Sequence, residues 1–169
     1  MSKQIELLKW MLEDVRKVTL YGVEHLSKEH LFESPSDSEK EYPVGSYLMH
    51  LAECDIFWLE VLSGIDQSDE LKKRCYYNSW YDPSEIPDFP ESPIEFSVYQ
   101  SVIDEARKNF LNYLSEMEDS QLDEEVSIKG DTSGKKFKKK WIIYHILEHE
   151  AHHRGQMFML LRQAGWNKI

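Results

Sequence analysis

The stretch 141–165 constrains the fold most, because it combines a helical apolar pattern with four of the chain's seven histidines. Its apolar residues recur at steps of three and four, the spacing that places side chains on one face of a helix. These apolar residues are Ile142, Ile146, Met157, Leu160 and Leu161. Gly165 supplies a stop signal after them. We therefore predict a single helix over 141–165.

His145, His149 and His153 follow one another at intervals of four within this stretch. Each lies about one turn, ~6 Å of rise, beyond the last, so the three form a column. Apolar positions flank the column, which predicts that it faces the core. Two imidazoles one turn apart can converge on one cation. A single such histidine is more often a hydrogen-bonded core or surface residue, but three in one column favour a metal site.

Residues 149–153 read HEAHH and match the HExxH motif of zinc proteases, with Glu150 in the position of the general base. A protease also needs a peptide cleft, and a compact bundle whose ligands point inward leaves little room for one. A ferritin-like di-iron bundle would need glutamates on two helices and paired Glu-x-x-His motifs, whereas only Glu150 and His153 have that spacing. We therefore disfavour both interpretations.

Three further amphipathic patterns precede this helix and together predict an all-α fold, a four-helix bundle. A long loop between helices two and three, rich in proline and aromatic residues, should cover one end of the bundle. Alternating periodicity predicts a small β-hairpin before helix four. The length suits one domain over 1–169. The predicted ranges are 3–31, 44–62 and 92–118 for the first three helices, 32–43 and 64–93 for the connections, and 122–140 for the hairpin.

His50 lies on the predicted second helix, beside Leu51 and one turn before Cys54. This register turns His50 inward. A lone inward histidine is more often a hydrogen-bonded core residue than a ligand, but here it would face a histidine column on another helix. Cys54 is either a fourth metal ligand or a small buried apolar residue, and we favour the second role. If it were a ligand, the site would be structural.

The charge and the start of the chain limit the classes of partner. The net charge of −11 argues against nucleic acid or an anionic membrane surface as the partner, because both are negatively charged and bind positively charged surfaces. No apolar run approaches the ~18 residues of a membrane span, and the N-terminal residues lack a signal-peptide pattern. The two cysteines form no CxxC motif. We expect a cytoplasmic protein with reduced thiols.

Two segments resemble the DinB/YfiT-like metal-binding four-helix bundle family. They are YPVGSYLMHLAECDIFWLEVLSG at 42–64 and HILEHEAHHRGQMFMLLRQAG at 145–165, of which HHRGQ is the most specific part. The resemblance extends over essentially the whole chain. It implies His50, His149 and His153 as the ligands of a divalent metal. A register shifted by one turn, which would include His145, stays open, and Gly155 would permit close helix packing.

Three imidazoles with an open fourth position are the pattern of catalytic zinc, and imidazole also suits nickel. The resemblance implies a metal-dependent enzyme that acts on small molecules, foremost an S-transferase that uses a low-molecular-weight thiol as cosubstrate. One alternative is a non-catalytic metal-binding stress or interaction protein. A metal-dependent hydrolase is a weaker alternative.

The remaining candidate residues carry less specific expectations. Glu53, Glu148 and Glu150 could be general bases or partners of the ligands, but we favour solvated helix-face charges. The resemblance also implies a homodimer, for which Trp10, Trp80 or Trp166 could form an interface.

Overall fold

The computed structural model describes residues 3–36, 41–83 and 86–167. In these residues four long helices form a bundle, which confirms the predicted all-α fold class. The bundle helices are α1 (Lys3–Val23), α3 (Val44–Ser63), α5 (Phe96–Ser115) and α6 (Lys139–Ala164), and the short helices are α2 (Lys28–Phe32) and α4 (Asp69–Arg74). Parts of both predicted connections, residues 37–40 and 84–85, lie outside the described residues.

Helix α3 is the most buried of the bundle helices, because it packs against both α5 and α6. Helix α1 packs against α6 and α5 on the other side. The burial explains the apolar character of α3, since most of its faces meet another helix. It also brings the helix that carries His50 against the helix that carries the histidine column.

The first predicted helix is wrong in its extent, because α1 ends at Val23 instead of continuing to residue 31. Ser27 adopts an extended backbone and its hydroxyl accepts a hydrogen bond from the His30 N–H at 3.2 Å, which starts α2 as a separate helix. Such local side-chain hydrogen bonds compete with continuation of a helix. The third predicted helix also starts later, at Phe96 with Glu95 as N-cap, and not at Ser92.

The long connection between α3 and α5 is not irregular throughout, because α4 lies within it. The Ser68 hydroxyl caps α4 by accepting from the Leu71 N–H at 3.2 Å. Most aromatic residues that follow α4 pack against the core, whereas Phe89 in the same connection is 50% exposed. Those that pack against the core are Tyr76, Tyr77, Trp80 and Tyr81.

The predicted hairpin is present as two short antiparallel strands, β1 (Glu125–Val126) and β2 (Phe137–Lys138), directly before α6. Helix α6 ends where predicted, with Gly165 in the left-handed region at φ 74°. Gly155 does not serve close packing, because a Cβ there would meet no atom within 4 Å. Among the described residues, no helix is long and apolar enough to span a membrane.

Candidate metal centre

His50, His149 and His153 converge in the structure between α3 and α6, and one ligand atom from each lies within 4.8 Å of the others. The Nε2 atom of His149 is central: it lies 3.3 Å from Nε2 of His50 and 3.0 Å from Nε2 of His153. His153 is buried, whereas His50 and His149 are partly exposed. The column therefore lies at the edge of the core and not wholly inside it.

The opposite ring nitrogens of two of these histidines have partners that fix the tautomer. His50 Nδ1 lies 3.0 Å from Glu53 Oε2, and His153 Nδ1 lies 2.7 Å from Gln156 Oε1. A carboxylate and an amide oxygen accept hydrogen bonds, so Nδ1 donates in both rings. In the neutral form of each ring Nε2 then carries the lone pair, and in both residues this atom lies close to His149 Nε2. This arrangement of partners is typical of metal-ligating histidines.

The contacts between the Nε2 atoms are unfavourable without a cation. If His149 Nε2 carries a proton, it can donate to the Nε2 atom of only one neighbour, either His50 or His153. The Nε2 atom of the other neighbour is then close to His149 without a hydrogen bond between them. Burial, followed by the charges of the other histidines, lowers the pKa of His149 to about 3. Burial and His50 lower the pKa of His153 to about 4. Both rings are therefore neutral at pH 7, the form that binds metals, and the three residues fit a divalent ion.

Aromatic rings flank the triad on two sides. Tyr81, from the connection after α4, stacks on His50 with ring centroids 4.3 Å apart. On the other side His145 stacks on Trp141, with ring centroids 4.8 Å apart. It also makes a T-shaped contact with Trp58, with ring centroids 5.4 Å apart. His145 is thus held by tryptophan rings, and its ring centroid is 5.7 Å from that of His149. The group whose ligand atoms converge does not include it.

Cys54 lies directly beside the triad. Its Sγ is 3.6 Å from His50 Nε2 and 3.8 Å from His149 Nε2. Burial raises the pKa of the free Cys54 thiol well above its usual range, and the nearby charges of Glu53 and Asp55 add to this. The side chain is partly accessible, so it is not simply an enclosed apolar residue.

Glu53 is not a solvated charge, contrary to the sequence expectation. It is 9% exposed, and its two oxygens have different partners. Oε2 accepts from His50 Nδ1 at 3.0 Å, and Oε1 accepts from the Asn78 N–H at 2.9 Å. Asn78 lies in the connection after α4 and has a φ of 57°, a conformation uncommon outside glycine. Glu53 therefore ties the orientation of His50 to the conformation of this connection.

Replacing Glu53 with alanine should lower metal affinity by about 10–100-fold, the usual effect of losing a carboxylate partner of a ligating histidine. Glu53→Gln should lose less, because its amide oxygen can still accept from His50 Nδ1. Metal titration with a competing chelator measures the difference. Glu148→Ala is the control, since Glu148 is exposed on α6. An unchanged affinity in Glu53→Ala would contradict the positioning role.

Glu150 is also buried, at 1% exposure, and belongs to a cluster of four charges. Its oxygens accept from Arg16 Nε at 2.9 Å and from Arg107 Nη2 at 2.7 Å. Asp55 Oδ2 accepts from the same two arginines, at 3.1 and 2.9 Å. Burial alone would raise the pKa of Glu150, but the charges of Arg16 and Arg107 outweigh it and lower the pKa to about 2.

The cluster joins all four bundle helices, since Arg16 lies on α1, Asp55 on α3, Arg107 on α5 and Glu150 on α6. Glu150 follows His149 in the sequence but is engaged by the two arginines. It is not available as the general base of an HExxH protease, so the structure rejects that interpretation of HEAHH. The sequence interpretation missed the arginine partners.

The other expectations about exposed side chains have mixed outcomes. Glu148 is exposed, as expected. Trp10 is 60% exposed, but Trp80 is 7% exposed and packs in the core. Trp166 is half-buried and stacks on His30 at 4.1 Å. A groove of about 1000 Å³ lies between α1 and α5, but the residues that line it do not include the triad.

The fold and the site together define a helical-bundle protein with a three-histidine group that could hold a divalent metal. A model of the DinB family matches residues 1–169, and the chain belongs to that family. Protein DinB of Bacillus subtilis (strain 168) is 26% identical over 124 residues, which cover 73% of this chain and 65% of that protein. The match therefore spans less than two thirds of that relative.

Two solved structures share the fold. A DinB-like protein from Bacillus cereus ATCC 10987 superposes with a TM-score of 0.59 at 21% identity, over 94% of this chain and 88% of that one. A conserved protein from Enterococcus faecalis superposes with a TM-score of 0.65 at 16% identity, over 96% of each chain. At these identities the likeness establishes the fold alone.

Proposed function

We propose that this protein is a metal-dependent enzyme that acts on small molecules and joins a low-molecular-weight thiol, through its sulfur, to an electrophile. The metal would be zinc or nickel, held by His50, His149 and His153. The observation that carries the proposal is the convergence of three Nε2 atoms on one point, with contacts of 3.3 and 3.0 Å. In the neutral rings of His50 and His153, the partners on Nδ1 leave the lone pair on Nε2.

The charge of the triad supports a thiol as cosubstrate. All three groups are imidazoles, and the nearby carboxylates are engaged elsewhere: Glu53 binds the far nitrogen of His50, and Glu150 binds the arginines. The three histidines by themselves thus leave the charge of a divalent ion uncompensated, which favours a thiolate as a further ligand. When bound, such an ion keeps a coordinated thiol deprotonated at neutral pH. Tyr81 covers one side of the triad, because its ring stacks on His50 with the centroids 4.3 Å apart.

The direct test is turnover by metal-loaded protein. The protein is stripped with a chelator, reloaded with zinc or nickel, and assayed with a panel of small thiols and an electrophile. We expect thiol consumption that requires the metal and is lost in His153→Ala. His152→Ala is the matched control, since His152 is exposed on the same helix. Stoichiometric metal binding without turnover across the panel would contradict the enzyme proposal and favour the passive metal-binding alternative.

A metal-dependent hydrolase is a weaker proposal, because the glutamate that would act as base in HEAHH is held by two arginines. We also propose a cytoplasmic location and a homodimer. The exposed Trp10 on α1 supports an interface, whereas the buried Trp80 cannot contribute to one.

A further inference from the structure

We propose that Cys54 is a fourth protein ligand, so that the metal site of this chain is a His₃Cys site. The inference rests on the metal binding in the proposed function but not on the proposed reaction. It departs from the sequence expectation that Cys54 is a small buried apolar residue. The sequence register allows it, because Cys54 follows His50 by four residues and lies one turn away on the same face of α3.

The distances of Cys54 Sγ from two of the three histidine nitrogens support a common ion. With zinc bonds of about 2.0–2.1 Å to nitrogen and about 2.3 Å to sulfur, a tetrahedral site places two nitrogens about 3.3 Å apart and a nitrogen and sulfur about 3.6 Å apart. The Nε2 atoms of His149 and its neighbours are separated by 3.3 and 3.0 Å. Cys54 Sγ lies 3.6 and 3.8 Å from the nitrogens of His50 and His149. These separations match those expected for one ion bound by His50, His149 and Cys54. Cys54 Sγ is not among the ligand atoms that all lie within 4.8 Å of one another, so it has to move toward His153 to complete the site.

The surroundings of the two cysteines differ in a way that supports this role. Among the described residues, Cys54 Sγ has polar contacts with the two imidazole nitrogens. Cys75 Sγ instead donates to the Lys72 carbonyl at 3.2 Å, an ordinary structural hydrogen bond within α4 and its C-cap. Cys75 is therefore a matched control for the effect of a cysteine substitution.

A fourth protein ligand changes how a substrate thiol can bind. With a metal bound, the three histidines and Cys54 would close the site, as in structural zinc sites. A substrate thiol would bind the metal only in place of the sulfur of Cys54, and Cys54 would then hold the proton that the substrate lost. Such an exchange would create no net charge, which suits a site with few compensating charges.

Cobalt(II) substitution tests the proposal with a spectroscopic signature. Cobalt bound by a thiolate has a sulfur-to-metal charge-transfer band in the near ultraviolet, which a site of imidazoles and water lacks. We expect this band in the cobalt-loaded protein at one equivalent per chain, its retention in Cys75→Ser and its loss in both Cys54→Ser and Cys54→Ala. Both Cys54 variants should still bind cobalt through the three histidines, with lower affinity.

The result that overturns the proposal is a cobalt-loaded protein of native sequence that has ligand-field absorption but no charge-transfer band. In that case the three-histidine site, and with it the proposed function, would still stand. If cobalt does not bind at all, the Cys54 proposal and the metal site fall together. Because the native protein gives the decisive spectrum, the test does not depend on the folding of a variant.

Discussion

Replacing Glu150 with alanine should lower the free energy of unfolding of the metal-free protein by about 3–5 kcal/mol, since it leaves one buried positive charge uncompensated. Glu150 is 1% exposed and accepts from Arg16 and Arg107. After its removal, two guanidinium groups share the single carboxylate of Asp55. For a domain of this size the loss corresponds to a decrease in Tm of about 6–20 °C. Denaturant unfolding with a chelator present measures it.

Glu148→Ala is the matched control for this prediction, because Glu148 lies two residues earlier on α6 and is exposed. Substitution of an exposed residue away from structural features usually changes stability by less than about 0.5 kcal/mol. A similar small effect in Glu150→Ala would show that the four-charge cluster does not hold the helices together. The chelator matters because His149 is adjacent, and lost metal binding would otherwise contribute to the result.

His149→Ala should abolish stoichiometric metal binding, because His149 Nε2 lies within 3.3 Å of the other two Nε2 atoms. The loss should exceed the ~100-fold that follows removal of a partner of a ligand. The native protein should gain about 2.7 kcal/mol of stability at a free metal concentration of 100 times Kd. That gain corresponds to about 5–11 °C in Tm, and the variant should show no gain. Elemental analysis and thermal unfolding with and without zinc or nickel measure both effects.

His152→Ala and His145→Ala are the controls for that prediction. His152 is exposed, and the His145 ring stacks on Trp141 outside the convergent group. Both variants should retain about one metal per chain. Loss of binding in His145→Ala with retention in His153→Ala would support the register shifted by one turn, in which His145 and His149 form the pair. Retained binding in His149→Ala would contradict a site between α3 and α6.

The helical pattern of the sequence was sufficient to predict the bundle, and the elements it predicted less well have local causes. Four apolar stripes and two glycine stops, Gly64 and Gly165, define the helices that form. The separate helix α2 was missed because the Ser27 cap competes with the continuing apolar pattern of α1. Cap formation depends on the backbone conformation of one residue, which periodicity does not report.

The buried charges left a signal in the sequence that went unused. Arg16 occupies a core position in the stripe of Leu12, Thr19 and Val23, and each of the other three charges occupies a comparable core position on its own helix. Two arginines and two acids at such positions indicate mutual neutralisation, because unpaired charges are rarely buried. The sequence does not indicate which acid meets which arginine, and in the structure each acid meets both.

The sequence by itself determined the four helices, and with them the placement of His149 and His153 one turn apart on one helical face. Both depend on interactions between residues that are close in the chain. Only the tertiary structure decided that His50, 99 residues from His149, meets that pair. It also decided that Glu53 holds His50, that Glu150 turns to the arginines and that Cys54 lies beside the triad. The physical reason is that these contacts depend on the packing of α3 against α6 and on the rotation of each helix about its axis. That rotation is set by burial of the whole apolar face and not by any one residue.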